Sequence, residues 1–269
     1  MRVLCFVLFM ILFSFAARAE RFTSTIHSIE ESQKRGEDHL VFFTDGRVIF
    51  INAEEKSSLE ALKQSLKNQE TLEVERDKKN RPLSIQSVPP LLNKADDHSI
   101  LIEDGEKNDL MLSSQSIFNS MRRGWQNESQ CYNRAHVWAY EASKKGINMM
   151  KLFLFFTRRY IRNYNYGWWF HVTPALQNGG SWLTMDRRYT RGPLSVRTWT
   201  NIFVHSRRAC PVVYKYTQYS NNQESQDCYL IPTTKYFWQP RDILSYERTG
   251  RQKTSFISWE VNWSYEEAF

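Results

Sequence analysis

Carboxylates almost disappear from the middle of this chain. Between Ala142 and Gln223 the sole acidic residue is Asp186, so any carboxylate chemistry in that stretch rests on one side chain. Glycine and proline are thin as well, 10 and 8 among 269 residues. No glycine-rich phosphate loop occurs, which excludes the P-loop and dinucleotide fingerprints. Internal repeats are lacking, and with them the solenoid and propeller architectures. The four cysteines and six histidines form no cluster with metal-ligand spacing; the residues require neither a metal nor an organic cofactor. Past the N-terminus no apolar run is long enough to cross a membrane, since Met149 to Phe156 is only strand-sized.

What is present begins with a leader. Arg2 precedes an almost unbroken apolar run from Val3 to Ala16, and Ala17-Arg18-Ala19 is a cleavage site of the A-x-A kind. Met1 to Ala19 therefore reads as a secretory signal peptide, with mature protein beginning near Glu20. Bacterial export follows, to the periplasm or as a secreted protein, where disulfides persist. Cys5 leaves with the signal. Cys210 and Cys228 flank the turn-rich segment Tyr219 to Gln226 and form a natural pair, worth roughly 3 kcal/mol in a chain-entropy model. Cys131 is then left over, as a reactive thiol or as half of an intermolecular disulfide.

Charge divides the mature chain. Residues 20–112 carry 13 Lys+Arg against 19 Asp+Glu, net −6, whereas residues 113–269 carry 21 against 10, net +11, and hold all nine tryptophans. A boundary is expected between Asn108 and Ser116, after the acidic run that starts at Glu103. The division is thus 1–19 signal, 20–112 a small α+β module and 113–269 the main domain. In the module, Leu40 to Phe43 and Val48 to Ile51 flank Thr44-Asp-Gly-Arg, a hairpin with Asp-Gly at its turn. Leu59, Leu62 and Leu66 give Ser57 to Lys67 a helical period. Thr71 to Glu75 and Leu83 to Val88 add two strands. The basic residues of the main domain come as dispersed pairs such as Arg158-Arg159 and Arg187-Arg188. They lack a nucleic-acid motif, and suit acidic proteins or the acidic module better than nucleic acid.

The main domain is organised around Asn127 to Gly146, a polar loop feeding a helix of about four turns. Ser129 is the expected N-cap, and Lys144, Lys145 and Gly146 mark the C-terminus. Cys131 falls in the first turn, where free backbone N–H groups and the positive end of the helix dipole favour a thiolate. Ala135, Trp138, Ala139 and Ala142 recur at three- and four-residue spacing, so that face packs inward. Strands follow: Lys151 to Phe156, Gly167 to Val172 ended by Thr173-Pro174, and Ser181 to Asp186. By strict alternation His171 shares a face with Trp169. A helix-start cysteine, then a histidine, then an aspartate is the order of a Cys-His-Asp site. His136, five residues after Cys131, turns away from it and reads as structural; His205 has no acid nearby. Trp168, Trp169 and Trp182 either wall a substrate cleft or are plain core.

Cys131-Tyr-Asn-Arg-Ala-His136, then Trp168-Trp-Phe-His-Val172, then Met185-Asp186-Arg, with the later cysteine pair, resembles the bacterial protein-glutamine glutaminases over about Gln126 to Cys228. The resemblance implies a papain/transglutaminase-like α+β domain, its cysteine at a helix N-terminus packed on an antiparallel sheet. It implies secreted deamidation of glutamine side chains in proteins or peptides through a thioester, with Cys131, His171 and Asp186 as the triad. That family is made with an N-terminal pro-segment over its active site, and residues 20–112 occupy the corresponding place. Transglutaminase or cysteine peptidase chemistry would use the same residues, and a non-enzymatic envelope-binding protein on the same scaffold is the alternative of another class.

Overall fold

The computed structural model describes residues 19–34, 36–89, 113–178 and 180–269. The signal peptide but for Ala19, and most of the expected boundary at 108–116, lie outside them. The first sheet is built from β1 (Glu20–Glu30), β2 (His39–Phe43), β3 (Val48–Ile51), β4 (Thr71–Arg76) and β5 (Pro82–Val88), with α1 (Lys56–Asn68) inserted after β3. Its order is β3-β2-β1-β4-β5, and every pairing is antiparallel. The hairpin, the helix and the β4 and β5 strands stand where the hydrophobic periods put them. β1 was not anticipated. Its inward positions are Phe22, Ser24 and Ile26, a period-two pattern that a serine interrupts.

β2 and β3 are buried along their whole length because both faces are covered. Val41, Phe43, Ile49 and Ile51 face α1's Leu62 and the β4 residues Leu72 and Val74 in one small core. Their neighbours Leu40, Phe42, Val48 and Phe50 join the large core built mostly from the second half of the chain. A period of two with both sets apolar is how a strand buried on two faces reads in sequence.

The second half contains α2 (Ser114–Ser120), α3 (Cys131–Lys144), β6 (Met150–Phe156), α4 (Arg158–Tyr164), β7 (Phe170–Asn178), β8 (Ser181–Thr184), β9 (Leu194–Ser195), α5 (Val196–Phe203), α6 (Tyr216–Ser220), β10 (Cys228–Thr234), α7 (Pro240–Thr249) and α8 (Ser258–Ala268). The second sheet runs β10-β6-β7-β8-β9, again antiparallel throughout. The class is α+β, with a helix-start cysteine packed on an antiparallel sheet as expected. α3 is buried almost all round. Cys131, Tyr132 and Ala135 belong to the large core, Trp138 and Ala142 to a second cluster with Leu176 and Met185, and Ala139 and Tyr140 to a third with Val261 of α8. Among the described residues no helix is long and apolar enough to cross a membrane.

Two local expectations are corrected. The N-cap of α3 is Gln130, without a side-chain cap; the Ser129 hydroxyl instead donates to the Gln126 carbonyl. β7 does not stop at Thr173-Pro174 but continues to Asn178. Proline is tolerated there because its carbonyl accepts from the Met185 N–H at 2.8 Å, just past the end of β8. The missing N–H thus faces the end of a strand rather than a ladder. The C-terminus of α3 is as read: Gly146 has φ 71°, and Gly146 and Ile147 return N–H bonds to Ser143 and Ala142, closing the helix in a Schellman turn.

The two sheets meet at the Asp45-Gly46 turn. Arg47 and Trp168 form an antiparallel bridge, and the Trp169 N–H donates to the Gly46 carbonyl at 2.8 Å. Gly46 has φ 100°, and a Cβ there would stand 3.1 Å from the Phe170 ring. Only glycine satisfies both the turn and the approach. The Trp169 indole N–H donates to the Phe43 carbonyl at 2.8 Å, Arg76 donates to the carbonyls of Val48 and Gly167, and Arg158 and Arg162 of α4 pair with Glu30.

Candidate active site

Cys131 opens α3 with its backbone N–H and those of the following residues free of intrahelical partners, as in any first turn; Gln130 offers no side-chain cap to occupy them. β7 delivers His171 opposite Leu154 of β6, and the loop leaving β8 delivers Asp186. The imidazole Nε2–H donates to Asp186 Oδ2 at 2.6 Å, and His171 shares the cleft lining with Cys131, whose thiol favours the charged imidazole. With Nε2 engaged by Asp186, Nδ1 is the ring nitrogen left for the thiol. The structure therefore brings the three residues together, His171 bonded to Asp186 and sharing a cleft with Cys131. They are 5%, 7% and 1% exposed, respectively, so water barely screens the pairing. Burial disfavours a charged His171, but the charge and hydrogen bond of Asp186, followed by the influence of Cys131, outweigh it and raise the imidazole to about 9. The group is arranged to exist as an imidazolium at neutral pH.

Cys131 and His171 line a cleft of about 270 Å³ whose walls also include Trp168, Tyr166, Tyr189, Arg134, Arg188 and Phe203; Asp186 stands behind His171, outside the lining. Two further wall residues, Glu20 and Arg47, come from the first sheet. Arg47 lies over the Trp168 ring at 5.2 Å and pairs with Glu20 at 2.8 Å and Asp45 at 2.6 Å. A larger cavity of about 640 Å³ lies by the C-terminal end of α3, between Gly146 and Tyr246, but no cysteine or histidine lines it. Size alone does not mark the reactive site. Among the described residues no group of three or more His, Cys, Asp or Glu side chains is placed to hold a metal ion.

The three tryptophans selected from the sequence part company. Trp168 lines the cleft. Trp169 does not: it is 2% exposed, stacked on His27 at 4.7 Å and bonded to Phe43. Alternation fails to put it beside His171 because β7 begins only at Phe170 and Trp169 occupies a bend. Trp182, on β8, pairs with Gln177 of β7, outside the cleft lining. Cys210 and Cys228 form the expected disulfide, with S–S 2.04 Å, and Cys131 is free. His136 is fully buried away from the cleft, with its Nδ1 2.7 Å from the Lys151 ammonium. His205 packs among Tyr160, Tyr164 and Tyr166.

Sequence reading overlooked Arg47, Arg134, Tyr166, Tyr189 and Trp199. Trp199 and Phe203 lie four apart on α5, a helical spacing that was available as a signal. Nothing in sequence links Arg47 to a cysteine more than eighty positions away.

Comparison with known proteins adds a family match over one segment of the chain. Residues 111–203, from before α2 to the end of α5, match a glutamine-deamidase family model described as glutaminase. Cys131, His171 and Asp186 all fall inside the match, so the resemblance noted in the sequence is met over that segment. No curated protein matches the chain. Two solved structures are similar: a mutant pro-protein-glutaminase, at 16% identity and TM-score 0.46 over 82% of this chain and 85% of that one, and pro-protein-glutaminase itself, at 14% and 0.44 over 82% and 84%.

Proposed function

We propose that this chain is a glutaminase that deamidates glutamine side chains of proteins or peptides. The observation that carries the reading is that Cys131 and His171 share one cleft, with His171 bonded to Asp186, all within the segment that matches the glutaminase family. His171 takes the Cys131 proton, and the resulting thiolate attacks the glutamine carboxamide carbon. Free N–H groups at the start of α3 hold the oxyanion. The imidazolium passes its proton to the nitrogen, ammonia departs and a glutamyl thioester remains. Water, deprotonated by His171, cleaves the thioester to glutamate and restores the thiol. Asp186 holds the imidazole tautomer and balances its charge.

The test is to incubate the protein with a glutamine-containing peptide and follow ammonia and peptide mass. Ammonia with a mass gain of about one unit per glutamine is the expected result of replacing –NH₂ by –OH. A larger adduct when an amine is added identifies a transglutaminase, and fragments identify a peptidase; either overturns the reading. Loss of activity in Cys131→Ala, with iodoacetamide labelling fastest at Cys131, assigns the nucleophile.

Two finer readings belong with this one. Met1 to Ala19 directs export, which N-terminal sequencing of secreted material checks. Residues 20–112 restrain the catalytic part. This is supported by Glu20 and Arg47 in the cleft wall, by the Glu30 pairs with Arg158 and Arg162 and by the charge split of −6 against +11. Residues 113–269 expressed alone should be more active on a peptide, and adding the separate 20–112 fragment should reverse the gain. Unchanged peptide activity with lost activity on whole proteins would make the segment a substrate-binding module instead.

A further inference from the structure

Asp186 Oδ2 accepts two hydrogen bonds: one from His171 Nε2 at 2.6 Å and one from the Trp199 indole Nε1–H at 2.8 Å. Trp199 is fully buried, and its ring lies 5.7 Å from the imidazole, tilted by 31°. One turn further along α5, Phe203 packs against the same imidazole at 4.4 Å and against Trp199 at 5.5 Å. Positions four apart share a helix face, so one face of α5 supplies both an N–H for the carboxylate and an apolar roof for the histidine. The helix is anchored where this matters, since Ser195 caps it through the Thr198 N–H.

We propose that Trp199 is a positioning residue: its indole N–H fixes the Asp186 carboxylate in the one rotamer that aligns His171 with Cys131, and its ring with Phe203 keeps water from the His171–Asp186 bond. This deepens the function proposed above and rests on the same three residues as the reacting set. The physical reason is geometric. A carboxylate with one buried partner can rotate about its Cβ–Cγ bond. A second donor of fixed direction, held by a ring that cannot turn in a packed core, removes that freedom. A water-excluded hydrogen bond to a charged acceptor is also the stronger kind.

The experiment is Trp199→Phe in the full chain, which keeps an apolar ring and deletes the donor, with Trp259→Phe, a half-exposed position on α8, as control. The first readout is the rate of iodoacetamide alkylation of Cys131 against pH, which reports the thiolate–imidazolium pair whatever reaction the enzyme performs. In the parent and in Trp259→Phe, fast alkylation should persist at pH 6–7, below the range of a free thiol. In Trp199→Phe, alkylation in that range should fall roughly tenfold, the size expected for losing one hydrogen bond to a charged group, and should recover at high pH. An unchanged profile, or one displaced the opposite way, overturns the proposal. The second readout needs no variant: in the parent chain the Trp199 indole N–H should exchange with solvent slowly, and rapid exchange overturns the proposal even if Trp199→Phe does not fold. Absence of ammonia release by the parent would overturn the glutaminase reading and leave the alkylation result standing on its own.

Discussion

Each five-stranded sheet carries a histidine on its middle strand, His27 on β1 and His171 on β7, and the two are driven in opposite directions. His27 lies against Trp169; burial acts on it alone and lowers it to about 4. His171 meets the same burial, but Asp186 and then Cys131 overcome it and raise it to about 9. A low dielectric disfavours the charged form, and a buried partner decides whether that penalty is overcome. On the first sheet's middle strand the acids Glu20 and Glu30 stand at the two ends and pair with arginines, not with His27. The second has one acid between Ala142 and Gln223 and spends it on a histidine.

The largest effect that would break this contrast is catalytic. His171→Ala should lower kcat for ammonia release by about 10⁴-fold or more, nearly as much as Cys131→Ala, because groups acting as a unit are not additive. Asp186→Asn should cost less. His27→Ala should leave the chemical step intact. Equal losses from His136→Ala or His205→Ala in a folded protein would mean that the histidine has been misassigned.

A buried lysine–histidine pair tests how partners and burial act elsewhere. Lys151 is wholly enclosed and donates to the Phe237 carbonyl at 2.6 Å while meeting His136 at 2.7 Å. Burial, then repulsion from Lys253, hold its ammonium well below the usual lysine range. Lys151→Ala would leave two buried acceptors unpaired, at about 1–3 kcal/mol each, so urea denaturation should show a loss of several kcal/mol. A loss under about 1 kcal/mol would show that the site relaxes or admits water.

Titration sharpens the comparison further. His171, raised in the folded state, contributes stability that is complete below its ordinary value near 6.5 and is lost as pH rises through about 9. His27, depressed, leaves the fold unaffected above that ordinary value and destabilises it as pH falls toward about 4. Each effect is on the order of 3 kcal/mol. Melting temperature against pH should lose its alkaline decline in His171→Asn and its acid decline in His27→Phe; the reverse assignment would refute the contrast.

The smallest expected effect concerns the joint between the sheets. Gly46→Ala forces an unfavourable positive φ and a close contact with Phe170, costing about 1–2 kcal/mol. It should disturb the Arg47–Trp168 bridge before either sheet, which hydrogen exchange at Val48 and Trp169 would detect as earlier opening.

Much of this was legible in advance. The β2–β3 hairpin, α1, α3 and β6 follow from periodicity, since their apolar spacing admits one packing face or two. The free cysteine, the 210–228 pair and the histidine–aspartate partners follow from scarcity. β1 escaped because Ser24 occupies an inward position on a strand whose apolar signal is Phe22 and Ile26. Trp169 was given the wrong face because alternation holds only inside a strand, and it lies one residue before β7.

By itself, the chain's order of residues determined which side chains could react: one unpaired thiol at a helix start, one acid in the aromatic stretch, and strands with two apolar faces that must both be covered. Tertiary structure alone decided what covers the second face of β2 and β3, which tryptophan reaches the cleft, that Trp199 shares the Asp186 oxygen with His171, and the sign of each histidine's shift. Local pattern fixes direction along an element through its period, whereas partners across the fold meet only when separate elements pack. Burial penalises a charge, and only those partners can offset the penalty.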